Sequence, residues 1–129
     1  MNIAIFIAGC LCLLTVAVHE LMGTKEIALP IMATNLTLEI KAIWRIVWHS
    51  ITFSFLFNGV ALIILGLGER NIIAALLIAA YNLSFAALFC FFSYKLLSNP
   101  FVFPHPWLFS IIAILILFGT FARRAINVH

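Results

Sequence analysis

Histidine and glutamate residues come together at two places in a chain that has few ionisable groups. The 129 residues include 4 histidines, 4 acidic residues and 7 lysines and arginines. His19-Glu20 follows one apolar stretch, and Trp48-His49 lies inside another, the run IVWHSITFSF. Imidazole side chains ligate haem iron and transition metals, and they exchange protons near neutral pH. His19 and His49, together with His105, are therefore predicted as ligands of a non-covalent haem b or a transition metal, or as groups that handle protons.

The residues around His49 repeat at the spacing of one helix face. Lys41, Arg45 and His49 are four residues apart, and Thr52 follows three residues later. At about 3.6 residues per turn these positions form one narrow stripe. A charge at the centre of a bilayer costs about 2.5–3.5 kcal/mol, so the stripe must face the bundle or a water-filled crevice. The pattern predicts a polar crevice that opens at one membrane face and ends near Trp48.

The composition assigns the chain to a membrane. Hydrophobic residues make up 66% of it and charged residues 9%, and the mean hydropathy is +1.25. This is more apolar surface than the core of a small soluble globule can bury. The net charge of +3 comes from side chains scattered at segment ends, which is typical of anchoring at the membrane interface. The predicted partner is the lipid bilayer, and no nucleic acid is predicted to bind.

Four apolar segments reach the roughly 20 residues that a helix needs to cross about 30 Å of hydrocarbon. They run over about residues 2–22, 41–66, 71–97 and 104–122. They are too long and too uninterrupted for barrel strands, and a helix satisfies its own backbone groups in lipid. The sequence predicts an all-α integral membrane four-helix bundle, up-down-up-down, with a single transmembrane domain over residues 1–129.

This topology brings the polar helix ends together. Four helices place both termini on one side of the membrane. The end of the first helix, the start of the second, the end of the third and the start of the fourth therefore share the opposite face. Residues 23–40 are predicted as a loop that caps the crevice, and Trp44 and Trp107 as members of an interfacial aromatic belt. The residues predicted to line the crevice or bind a ligand are His19, Glu20, Arg45, Trp48, His49, Tyr94 and Lys95.

Side-chain sizes give three expectations about packing. The third helix carries small residues such as Ala75 and Ala79 and is expected to lie centrally. The fourth helix is bulky all round and is expected to face lipid or a partner subunit. Asn58 and Asn82 fall at comparable depths and are expected to hydrogen-bond to each other.

The charges predict orientation only through one pair of residues. The two membrane faces carry similar numbers of basic side chains, and Arg123-Arg124 directly after the last helix favours termini in the cytoplasm. A bacterial inner membrane is the predicted location. Other membrane protein subunits, or further copies of the chain, are the predicted protein partners.

The arrangement of motifs in the first half of the chain gives one resemblance. His19-Glu20 ends the first helix, Pro30 lies in the following segment, and Trp48-His49 lies inside the second helix. This pattern resembles that of small four-helix bacterial integral membrane proteins of uncharacterised function, and it implies no activity. Small multidrug resistance transporters are similar in size and helix number, but they depend on a carboxylate well inside the first helix. Here residues 9–16 contain no acid, so that match fails.

Three classes of function remain open at this point. The chain is first predicted to be a non-catalytic subunit or a small-molecule-binding component of a membrane assembly. It is alternatively a haem- or metal-binding redox protein that uses His19 and His49. The third alternative is a proton-coupled carrier or a membrane enzyme with His49 as acid and base. No motif of a soluble enzyme is present in the sequence.

Overall fold

The protein is an all-α membrane protein. A computed structural model describes residues 1–68 and 71–126, with side chains as far as residue 122. Within these residues four helices are long and apolar enough to cross a membrane. The four-helix prediction is confirmed, whereas the side chains of Arg123 and Arg124, which carry the orientation prediction, lie outside the described residues. The helices are α1 (Ile3–Met32), α2 (Leu38–Leu67), α3 (Ile72–Leu97) and α4 (His105–Ile126).

Short polar side chains start three of these helices. Asn2, Thr37 and Asn71 each accept the backbone N–H three residues ahead. Such a cap contributes about 0.5–2 kcal/mol. Asn2 also donates its backbone N–H to the Gly66 carbonyl at 2.6 Å and its side-chain amide to the Gly119 carbonyl at 2.6 Å. Asn2 therefore joins α1, α2 and α4 at the end of the bundle that carries the chain termini.

The first helix is ten residues longer than predicted. Residues His19–Ala28 continue it in π-helical register, and Leu29–Met32 complete it as an α-helical turn. The prediction of a loop over residues 23–40 was therefore wrong for residues 23–32 and 38–40, and only residues 33–37 connect α1 to α2. Pro30 does not break the helix, and the chain stays helical as far as Met32.

The fourth helix lies in the centre of the bundle. α1 packs against α2 and α4, and α3 packs chiefly against α4, so α1 and α4 separate α2 from most of α3. The expectations that α4 faces lipid or a partner and that α3 is central were both wrong. The physical reason is complementarity, because bulky side chains on one face of α4 fit the small residues of its neighbours. The buried members are Phe109, Ile112, Ala113 and Ile116 on α4, Ala8 and Cys12 on α1, and Ala75, Ala79 and Ala86 on α3.

The second and third helices touch mainly through aromatic rings. Phe55 meets Tyr81 and Phe85 edge-on, with ring centroids 6.2 and 5.3 Å apart. The predicted hydrogen bond between Asn58 and Asn82 was wrong. Each amide instead donates to a carbonyl of its own helix, because α2 and α3 make few contacts.

The end of the bundle opposite the termini contains fewer helices than its middle. α4 begins at His105, whose ring stacks on Phe89 of α3 at 4.4 Å. His105 is also within electrostatic reach of His19 on α1. Beyond this level α1 continues to Met32 and α3 to Leu97, while α4 contributes nothing further. The polar residues of α1 and α2 therefore lie where the fourth helix is missing.

Candidate functional site

The residues His19–Ala28, called the π segment below, form one wall of the candidate site. A π-helical turn is rare, occurs mostly as a single turn, and is often found at functional sites. Gly23 lies in its middle, and a Cβ atom there would be only 3.0 Å from Cη2 and 3.1 Å from Cζ2 of Trp48. A side chain at position 23 would have to displace the Trp48 indole by a few tenths of an ångström, because the indole lies directly against the backbone of α1.

Trp48 and His19 form the inner part of the site. Their rings stack with centroids 4.0 Å apart and an angle of 20° between the planes. His19 Nε2 also lies 3.4 Å from the Trp48 backbone oxygen. Trp44, one turn along α2, has its ring centroid 6.0 Å from that of Trp48. The two indoles and one imidazole therefore make a continuous aromatic surface between α1 and α2.

Glu20, Thr52 and His49 form a polar group beside this surface. The Thr52 hydroxyl donates to Glu20 Oε1, and His49 Nδ1 lies 3.6 Å from the same oxygen. The His49 side chain is 57% exposed and that of Glu20 is 34% exposed. An exposed pair of this kind contributes about 0–1 kcal/mol to stability, so its main effect is to fix Glu20 towards α2.

Several buried polar atoms at this end of the bundle have no hydrogen-bond partner. They are Thr24 Oγ1, Trp44 Nε1, Trp48 Nε1 and His105 Nδ1. A buried donor or acceptor without a partner costs about 1–3 kcal/mol. The two indole nitrogens can only donate, and the hydroxyl can also donate. The site thus presents donors to a partner that would accept hydrogen bonds.

The other predicted crevice residues lie further out. Arg45 is exposed and Lys41 is half-buried on α2. Tyr94 is 64% exposed near the end of α3, and Lys95 lies 5.8 Å above the Phe91 ring. In the part of the chain that the structure describes, no hydrogen bond or ion pair links Tyr94 or Lys95 to the residues of the π segment.

The three histidines do not form one ligand set. Within residues 1–68 and 71–122, no group of three or more His, Cys, Asp or Glu side chains is placed to hold a metal ion. His19 faces the Trp48 carbonyl, His49 faces Glu20, and His105 stacks on Phe89. Haem or metal binding by His19, His49 and His105 stays a prediction.

Sequence reasoning missed Thr24 and the buried face of Trp44. Thr24 was assigned to a loop, and Trp44 to the interfacial belt, where only its ring position mattered. Trp107 fits the belt, since it is 58% exposed and stacks on Phe101 at 5.0 Å. The available signal was Gly23, which permits a large side chain to lie against the helix backbone.

Replacement of Thr24 by valine is expected to stabilise the protein in the absence of ligand. Valine keeps the shape of threonine and removes a buried hydroxyl without a partner, so we expect a gain of about 1 kcal/mol. The same change at Thr15, whose hydroxyl donates to Leu11 O at 2.8 Å, is the matched control and is expected to give no gain. Unfolding by sodium dodecyl sulfate, followed by helix ellipticity, measures both variants. A loss of stability in Thr24→Val that equals the loss in Thr15→Val would show that the Thr24 hydroxyl is satisfied.

Comparison with known proteins adds no relative to these observations. No protein-family model matches the chain, and neither a curated protein nor a solved structure matches it.

Proposed function

We propose that the protein is a small-molecule-binding membrane protein that takes an amphiphile with hydrogen-bond-accepting oxygens. The proposed binding site lies between the π segment and α2. The observation that supports this most is the set of buried donors without partners at Thr24, Trp44 and Trp48. An acceptor oxygen that reaches one of these atoms would remove its desolvation cost, and that gain would appear as binding free energy.

The surroundings of these donors favour a ligand that arrives from the bilayer. Ligand sites in bundles lie between helices and combine an apolar wall with a few polar groups. Here the stacked rings of His19 and Trp48 form the wall, and the end of α4 at His105 leaves that level of the bundle with one helix fewer. An amphiphile can place its head against the donors while its chain stays in lipid. α4 buries one face in the bundle and leaves Ile114 and Phe118 61% and 65% exposed, so a partner subunit stays a prediction that this proposal does not need.

Indole NMR spectra test the proposal directly. The chain has three tryptophans, so [15N]tryptophan labelling gives one indole N–H signal for each. Methyl decyl ketone, a neutral acceptor with a long chain, is expected to shift the Trp44 and Trp48 signals in the direction of stronger hydrogen bonding. The exposed Trp107 is the internal control and is expected to stay in place.

Dodecane serves as the matched probe without an oxygen. Dodecane has an alkyl chain of similar length but accepts no hydrogen bond, so it is expected to leave the Trp44 and Trp48 signals unchanged. Equal shifts with the ketone and with dodecane would mean that the response reports general apolar contact, and the proposed function would then be wrong. Equal shifts at Trp107 and Trp48 would contradict it in the same way.

A further inference from the structure

Basic side chains follow the outer edge of the proposed crevice along α2. Lys41, Arg45 and His49 recur every fourth residue, which at about 100° per residue keeps them within roughly 80° of the helix circumference. This stripe runs beside Trp48, which is buried against α1. Exposed Ile46 lies about 100° from Arg45 around α2, and exposed Ile43 lies on the opposite side of the helix. The bases therefore lie between the donors of the site and the lipid-facing side of α2.

The two permanent cations of this stripe have no ion-pair partner in residues 1–68 and 71–122. The single ion pair of the region joins His49 to Glu20. Glu20 already accepts from Thr52 through the same oxygen that faces His49, so its charge is directed towards these two residues. Glu26 and Glu39, the other carboxylates at this end, form no ion pair with either cation among the described residues, so an anion beside Lys41 and Arg45 would be attracted.

We propose that the ligand of the crevice is an anionic amphiphile whose carboxylate or phosphate head lies between Lys41, Arg45 and the donors of Trp44 and Trp48. This inference rests on the proposed function and names its ligand class. Guanidinium and ammonium groups form strong charge-assisted hydrogen bonds with such heads. The indole donors require only an acceptor oxygen, whereas Lys41 and Arg45 favour one that carries a negative charge.

The apolar side of α2 indicates that the anion is carried by a lipid chain. Ile43 and Ile46 are 62% and 66% exposed, and they lie within one turn of Arg45. An acyl chain along Ile46, which lies nearer to Arg45 around the helix than Ile43 does, would hold the head beside the stripe. A free anion would lack this contact and would have to remain at the bilayer surface by charge alone.

Three probes separate the head charge from the chain. Dodecanoate has a charged carboxylate and a long chain. Methyl decyl ketone has the long chain with a neutral acceptor, and acetate has the carboxylate without the long chain. We expect dodecanoate to shift the Trp44 and Trp48 indole signals at lower concentration than the ketone, and acetate to leave them unchanged. An effect of acetate equal to that of dodecanoate would assign the site to free anions and overturn the lipid-borne ligand.

Neutral variants of the stripe complete the test. Arg45→Gln and Lys41→Gln are each expected to weaken dodecanoate about fivefold, and the double variant roughly 25-fold, with little change for the ketone. Lys95→Gln, a cation on the same membrane face at the end of α3, is the matched control and is expected to change neither. Ketone shifts without any preference for dodecanoate would leave the proposed function intact and overturn the anionic class. The absence of shifts with every probe would overturn both.

Discussion

Replacement of Gly9 by leucine is expected to force α1 away from α2 and to destabilise the protein by about 3 kcal/mol. A Cβ atom at Gly9 would lie 2.8 Å from Ile63 Cγ1 and 2.9 Å from the Gly59 carbonyl oxygen. The carbonyl belongs to the α2 backbone and cannot rotate aside, so the helices themselves must separate. For that reason we expect the loss of unfolding free energy to be at the upper end of the roughly 1–3 kcal/mol that overpacking costs.

The neighbouring residue provides the control for Gly9→Leu. Cys10 is exposed and lies about 100° from Gly9 around α1, so Cys10→Leu adds the same side chain at a position open to the surroundings. We expect the free energy of unfolding of Cys10→Leu to stay within about 0.5 kcal/mol of the parent protein. Unfolding in sodium dodecyl sulfate gives both values. Similar stabilities for the two variants would mean that α1 and α2 are not in close backbone contact at Gly9.

Replacement of Trp48 by alanine is expected to have the second large effect. The side chain is 7% exposed, stacks on His19 and lies against Gly23. Truncation of a buried tryptophan costs about 3–5 kcal/mol, and we expect a value near 3 because an unpartnered N–H is removed at the same time. The variant is also expected to lose the response of Trp44 to methyl decyl ketone.

Trp107→Ala is the matched control for Trp48→Ala. Trp107 is 58% exposed at the membrane face, so its removal leaves no interior cavity. A change in unfolding free energy of about 0.5 kcal/mol or less is expected. A comparable loss in the two tryptophan variants would contradict the placement of Trp48 between α1 and α2.

The spans of α2, α3 and α4 could be predicted from the sequence because a bilayer requires long apolar segments, and few residues interrupt them. The end of α1 could not be predicted in this way. The polar residues after Val18 lower its hydropathy and resemble a loop, yet the backbone remains helical as far as Met32. The contacts of Gly23 and Glu20 with α2 stabilise this extension, and such contacts appear only in the folded chain.

The site was predictable to the extent that it depends on topology. Antiparallel helices bring His19 and Glu20 close to Trp48 and His49, and the structure shows these four residues together. The donors without partners were not predictable, because burial of one nitrogen depends on side-chain packing. The position of α4 was missed for a related reason, since its bulky face becomes central only when the small residues of other helices meet it.

The π segment also affects how α1 can change in length. In an α-helix, deletion of one residue rotates everything beyond it by about 100° and displaces a whole packing face. The hydrogen bonds of the π register span five residues, one more than those of an α-helix. A deletion within His19–Ala28 can therefore be absorbed by conversion of π turns into α turns, without rotating Ile5, Ala8 and Cys12 out of the core. The wide turns thus give this end of α1 freedom to vary by insertion or deletion that the rest of the bundle lacks.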